Sequence, residues 1–270
     1  MKIVIFQFSG TGNTWFVASH LQQAFQAQGA SCDVLSIEAL TDAHAAIESA
    51  DIIGLGYPIY GSDFPEPVMT LIENLDRHQD KRAFVYCTQM MYSGDGAALG
   101  AKALRKKGFI VRQLAHVNMP NNITDYRIVR WVKPMKPDRL TRKVVRKTRR
   151  FASAILADKR IRKGETIFSL LLGLVQRIPF RRGREVSKGA LIIDQTCIGC
   201  SLCVDLCPSG NLTMVDEHAK AADQCYLCYR CVNHCPVQAI HFAKRTTVIR
   251  PYQGPTPDFD IRDVSRHHLE

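Results

Sequence analysis

Residues 197–208 read CIGCSLCVDLCP, and residues 225–236 read CYLCYRCVNHCP. Cys197, Cys200, Cys203 and Cys207 precede Pro208; Cys225, Cys228, Cys231 and Cys235 precede Pro236. The same pattern, C-x2-C-x2-C-x3-C-P, is thus written twice with every cysteine and both prolines displaced by 28 residues. A structural zinc site prefers paired C-x2-C blocks, two cysteines to each, and not three cysteines plus a fourth before proline. Disulfides need an oxidising compartment, and nothing in the chain suggests one. A doubled eight-cysteine pattern is far more specific than a lone C-x-x-C.

The spacing resembles that of the bacterial two-cluster ferredoxins. Three closely spaced thiolates on a tight loop reach three corners of an iron–sulfur cube, and the fourth cysteine, before proline, points at the other cube. The resemblance therefore implies two [4Fe–4S] clusters. Cys197, Cys200, Cys203 and Cys235 would hold one; Cys225, Cys228, Cys231 and Cys207 would hold the other. Of the ten cysteines in the chain, Cys32 and Cys87 remain, both inside expected buried strands, where a packed thiol is the usual role. His234 adjoins Cys235 but is read as a surface or neighbouring group, since four cysteines already complete each cube.

Far upstream, residues 2–8 (KIVIFQF) read as a short buried parallel strand. Ser9-Gly10-Thr11-Gly12-Asn13-Thr14 follows, and then a helical periodicity from Trp15 to Gln28. Strand, hydroxyl-rich glycine loop and helix form an anion site, with backbone N–H groups at a helix N-terminus. The lysine of a nucleotide P-loop is absent, and so is G-x-G-x-x-G. The loop resembles the phosphate loop of the flavodoxin family, which implies FMN, with Ser9, Gly10, Thr11, Gly12, Asn13 and Thr14 around its phosphate.

Further strands are expected at Cys32–Ile37, Asp51–Gly56, Arg82–Cys87 and Phe109–Val117, with helices at Pro65–Leu75 and Asp95–Lys107 between them. Alternating β and α elements imply an α/β, doubly wound, five-stranded parallel sheet, which in the flavodoxin-like order is 2-1-3-4-5. Ligands lie outside the strand C-termini at the switch point of such sheets. Loop 57–64 then offers Pro58, Ile59, Tyr60 and Gly61 to a flavin ring, with Tyr60 the stacking candidate. Loop 88–96 offers Thr88, Met90, Tyr92, Ser93 and Gly94.

The chain has 270 residues and a net charge of +11, enough length for two domains. The charge is concentrated: residues 127–188 hold 20 basic and 4 acidic side chains. Residues 138–158 read as an amphipathic helix, with Leu140, Val144, Phe151 and Ile155 on one face and cations on the others. Residues 166–180 (TIFSLLLGLVQRIPF) are apolar and too short to cross a bilayer. They read as a helix packed between the modules, with a monotopic membrane contact as the alternative. The expected layout is a flavodoxin-like domain at 1–158, a basic and apolar linker helix at 159–188, and a small α+β two-cluster ferredoxin domain at 189–250. A tail at 251–270 either drapes or is disordered. The start of the chain lacks the apolar run of a signal peptide, so a cytoplasmic location is expected.

As a whole the chain resembles the flavodoxin–ferredoxin fusion proteins of anaerobic bacteria and archaea. The resemblance implies an electron-transfer protein relaying low-potential electrons between the two clusters, FMN and redox partner proteins. No acid–base or nucleophile constellation stands out. The alternative is a flavin-dependent reductase of a quinone or small molecule. The basic stretch carries no recognised nucleic-acid motif, so no nucleic-acid partner is expected.

Overall fold

The computed structural model describes residues 1–124, 135–242 and 250–267. Strands β1 (Lys2–Gln7), β2 (Ser31–Ser36), β3 (Ile52–Pro58), β4 (Arg82–Gln89) and β5 (Ile110–Asn118) are parallel and lie in the order β2-β1-β3-β4-β5. This is the expected doubly wound order. A sixth, two-residue strand, β6 (Ile161–Arg162), pairs with β5 at Gln113 and Leu114. The sheet therefore reaches into the stretch read as linker. Two residues carry too little periodicity to be legible as a strand.

β1 shows why the sheet is covered on both sides. Its apolar residues are continuous, but their side chains alternate between faces. Val4 and Phe6 join the core beneath α3 (Glu66–Asn74) and α4 (Gly96–Lys106), while Ile3 and Ile5 join the core beneath α1 (Asn13–Gln26) and α5 (Pro137–Leu156). On the α5 side Phe84 packs against both Phe25 and Phe151. Leu140, Val144, Phe151 and Ile155 of α5 are all buried, as its periodicity requires. A short helix, α2 (Ala43–Glu48), lies between β2 and β3; Asp42 caps it by accepting from Ala45 N at 2.9 Å. Cys32 and Cys87 are buried.

The C-terminal domain repeats itself. β7 (Leu191–Ile193) pairs antiparallel with β10 (Ile240–Phe242), and β8 (Leu212–Val215) with β9 (His218–Ala221). Asp216 and Glu217 both adopt positive φ between β8 and β9, the requirement of a tight two-residue hairpin turn. Two short helices, α7 (Leu202–Asp205) and α8 (Arg230–His234), occupy corresponding places in the two cysteine motifs. The backbone repeats with the sequence. Positive φ occurs at Gly199 and Leu227, at Ser201 and Tyr229, and at Gly210 and Gln238, each pair separated by the offset of the cysteines.

The tail drapes over the N-terminal domain. Val264 O accepts from Gln7 Nε2 at 3.1 Å, and His267 bridges Ser36 N and Ala39 O. The linker helix, α6 (Ile167–Lys188), is longer than the apolar run alone suggested and contains Pro179.

Candidate functional site

Two cavities organise the C-terminal domain. One is lined by Cys225, Cys228, Cys231 and Cys207. The other is lined by Cys197, Cys200, Cys203 and Cys235. Each set is three cysteines of one motif and the last cysteine of the other, the crossed arrangement expected from the spacing. The local backbone makes this crossing possible. The three leading cysteines wrap a loop held by two left-handed residues, and the cysteine before proline leaves the following short helix toward the opposite cavity. Among the described residues no three His, Cys, Asp or Glu side chains converge as for a single ion; the thiols instead line two cavities, four to each. The donor set fits a cube: four soft thiolates and a mainly apolar wall.

Backbone amides aim at these sulfurs. Asn211 N donates to Cys207 Sγ and Ala239 N to Cys235 Sγ, both at 3.3 Å, again equivalent positions in the repeat; Leu227 N donates to Cys225 Sγ at 3.3 Å. Such bonds are among the devices that set a cluster's potential. Burial pushes the Cys228 thiol up to about 12, against the pull of Arg230. Burial and neighbouring thiols push Cys203 up to about 11. Ligation of a cluster there would have to displace the protons of these thiols.

The two sites differ in setting. Cys200 is exposed and Cys197 half-buried, whereas Cys225 and Cys228 are buried. The Cys225–Cys231 site lies against the N-terminal domain: Cys228 packs with that domain's core, and a methyl group on Gly10 would stand 2.5 Å from Cys228 O. We call it the inner site and the other the outer site. Arg230, between Cys228 and Cys231, joins the domains. Its guanidinium donates to Gly10 O at 3.0 Å, Ser9 O at 2.9 Å and Leu206 O at 3.0 Å, and pairs with both Glu38 oxygens at 2.6 and 2.9 Å. Burial opposes the Arg230 charge, but Glu38 outweighs it and the pKa is raised. Sequence reading missed Arg230. A signal existed, since the equivalent residue of the first motif is Leu202.

The loop Ser9–Thr14 stands at the N-terminus of α1, with Gly12 left-handed at φ 93°. It is closed by its own chain. Ser9 Oγ accepts from Gly12 N at 3.1 Å and Thr14 N at 3.2 Å. Thr14 Oγ1 bonds Thr88 Oγ1 at 2.8 Å, and Thr11 Oγ1 accepts from Asn122 Nδ2 at 2.9 Å. The Asn13 amide donates to Pro120 O and accepts from the Tyr252 hydroxyl at 2.6 Å. The Phe259 ring lies so close over Gly12 that a methyl group there would stand 2.4 Å from it. A void able to seat a phosphate would leave its lining open to a water-sized contact, yet Ser9 and Thr11 are 1% exposed and Thr14 is 0% exposed.

Loops 57–64 and 88–96 do come together beside this seat, but they close on each other. Ser62 Oγ donates to Ser93 O at 2.8 Å, and Ile59 reaches Gly96. Tyr60, expected to stack on a flavin, buries its hydroxyl toward Gly10 without a hydrogen-bond partner among the described residues. α6 latches both loops. Arg177 donates to Ser62 O at 3.0 Å and pairs with Asp95; Gly173 packs on Gly94 and Asp95, and Phe180 on Gly61. Arg181 pairs with Asp63 at 2.6 Å. Pro58 and Met90 are half-buried nearby, and Tyr92 is exposed at the rim. In this arrangement the residues expected to surround FMN are adjacent but leave it no room.

Residues 4–126 match the family described as "Flavodoxin domain", and residues 196–239 match the "4Fe-4S dicluster domain" family. The chain thus carries a flavodoxin domain in its N-terminal half and a 4Fe–4S dicluster ferredoxin domain in its C-terminal part. It is similar to an uncharacterized ferredoxin of Methanocaldococcus jannaschii, 39% identical over 56 residues, which are 18% of this chain and 73% of that one. It is also similar to the Escherichia coli (strain K12) protein called "Putative electron transport protein YsaA", 38% identical over 89 residues, 30% of this chain. The chain spans 46% of that protein's length. Among solved structures, a flavodoxin from the domain Archaea aligns at 16% identity and TM-score 0.43, over 58% of this chain and 99% of its own. Electron transfer is the chemistry these two domain classes share.

Proposed function

We propose that this protein is a one-electron carrier in which two [4Fe–4S] clusters, held by the crossed cysteine sets, pass electrons between redox partner proteins. The observation that carries this is the pair of cavities, each lined by three thiols of one motif and one of the other. A cube held by these cysteines would supply one-electron chemistry. A reduced donor protein loses one electron to the carrier, and an oxidised acceptor protein gains it.

The chain's residues supply the rest. Cysteines fix the spacing, amides from Asn211, Leu227 and Ala239 point at sulfur, and apolar walls exclude water. The outer site meets solvent at Cys200, and its lining includes the exposed side chains of Ile198 and Val237. Such a small apolar patch suits the brief contact of a redox partner. The test is anaerobic isolation with iron and sulfide analysis: two cubes per chain are expected. Cys207→Ala and Cys235→Ala are each expected to halve the iron. Iron left at the wild-type level in either variant would overturn the assignment of that cysteine as a ligand.

A second reading, an FMN-linked relay or flavin-dependent reductase, is favoured by one observation: the hydroxyl-rich loop 9–14 is retained at the start of α1. It requires an opened arrangement in which the 251–267 segment and α6 release the loops. Flavin bound to the freshly isolated full chain supports this reading. A chain that binds two clusters but takes up no FMN, even after the tail is removed, sinks it.

A further inference from the structure

α6 is amphipathic in the unexpected sense. Its polar and small residues face the protein: Ser169, Gly173 and Arg177 are buried at intervals of four, and Lys188 reaches Glu66 at 2.7 Å. Its apolar residues face outward. Ile167 is 79% exposed, and Phe168 and Val175 are 69% exposed. Leu170, Leu171, Leu174 and Ile178 are exposed as well. Met91 and Tyr92 extend the patch from loop 88–96, where Tyr92 Oη lies 3.4 Å from Ser169 Oγ. So large a contiguous apolar face marks an interaction surface.

Charge decides the occupant. Exposed Lys159, Arg160 and Lys163 precede the helix, and exposed Arg182 continues the stripe one turn beyond Ile178. Both ends are cationic, within a stretch of 20 basic and 4 acidic residues. Two copies laid face to face, parallel or antiparallel, would oppose cation to cation, which disfavours a dimer. No helix among the described residues is long and apolar enough to cross a membrane; twelve residues from Ile167 to Ile178 span only about 18 Å. A convex helix with an apolar stripe, cationic ends and an aromatic at its rim suits the headgroup layer of a bilayer.

We propose that α6 docks this protein in plane on anionic phospholipid, with Phe168, Leu171, Val175 and Ile178 entering the acyl boundary and the flanking cations meeting the headgroups. The docked face adjoins loops 57–64 and 88–96, so the carrier would present one fixed side to the bilayer.

The test is co-sedimentation of the cluster-loaded full chain with vesicles of phosphatidylcholine, with and without phosphatidylglycerol. Binding is expected on the anionic vesicles only, falling with salt, since each basic residue near the surface contributes about fivefold. Phe168→Ser with Val175→Ser is expected to weaken binding by about tenfold or more, with cluster absorbance unchanged. Leu171→Trp is expected to shift its emission to the blue on anionic vesicles. Three results would overturn the proposal. One is no binding to anionic vesicles at low salt. Another is binding indifferent to the double substitution, which would mean adsorption through other cations. The third is a stable dimer that the double substitution dissolves.

Discussion

Glu38 and Arg230 join the two domains through a pair whose side chains are 7% and 3% exposed. Replacing Glu38 by Ala leaves a buried guanidinium without its counter-charge. Removing one partner of a buried pair costs ~3–5 kcal/mol. Arg230 keeps three carbonyl acceptors, so the expected loss is nearer ~2–4 kcal/mol. For a chain of this size that lowers the melting temperature by about 5–15 °C. The assay is anaerobic unfolding of cluster-loaded protein, followed by cluster absorbance and circular dichroism, with iron analysis to show that both sites remain filled. Glu38→Leu combined with Arg230→Met removes both charges and is expected to recover most of the loss. A Glu38→Ala protein within about 1 kcal/mol of wild type would refute the reasoning, because a pair so weak must be open to water and the domains must part in solution.

His116 is buried beside Lys147 and Lys163, with Nε2 accepting from Ala97 N at 3.1 Å. Burial, then the two lysines, hold it at about 4. The unfolded chain therefore takes a proton at this site below pH ~6.5 while the folded chain does not, and stability should fall as pH drops from ~6.5 toward 4, by up to ~3 kcal/mol. A His116→Gln protein whose unfolding curve keeps that slope would contradict the assignment. Gly173→Val would drive a side chain into Asp95, since the first added carbon already lies 1.8 Å from Asp95 Oδ1. α6 should then become the first site of proteolytic cleavage, a pattern absent from wild type. Removing residues 251–270 should expose Gly12 and Asn13 by withdrawing Phe259 and Tyr252. Faster amide hydrogen exchange at 9–14 checks this, and unchanged exchange would show that the tail does not seal the loop.

The cysteine spacing was legible because ligand geometry ties each position to the next, and the same offset reappears in φ at Gly199 and Leu227 and in the amides aimed at Cys207 and Cys235. That the strands run parallel followed from their alternation with helices, while their order came from the resemblance of loop 9–14 to the flavodoxin family. β6 was not legible, because two residues acquire strand character only from their neighbour. The orientation of α6 was hidden for a different reason. An apolar run shows that a stripe exists, not which side finds a partner, and Arg177 inside the run was the clue that the polar side faces Asp95 and Ser62. The closure of loop 9–14 depends on Tyr252 and Phe259, more than 230 residues away, and local patterns carry no information over that separation.

The crossed ownership of the thiols has a consequence for how the molecule matures. Neither half of the repeat supplies all four donors of one cavity, so a nascent chain released before Cys235 could complete only the set that includes Cys207. The last cysteine acts as a clasp closing the earlier loop back on itself. Maturation should therefore run in sequence, inner cube before outer, with the portion nearest the neighbouring domain fastened first.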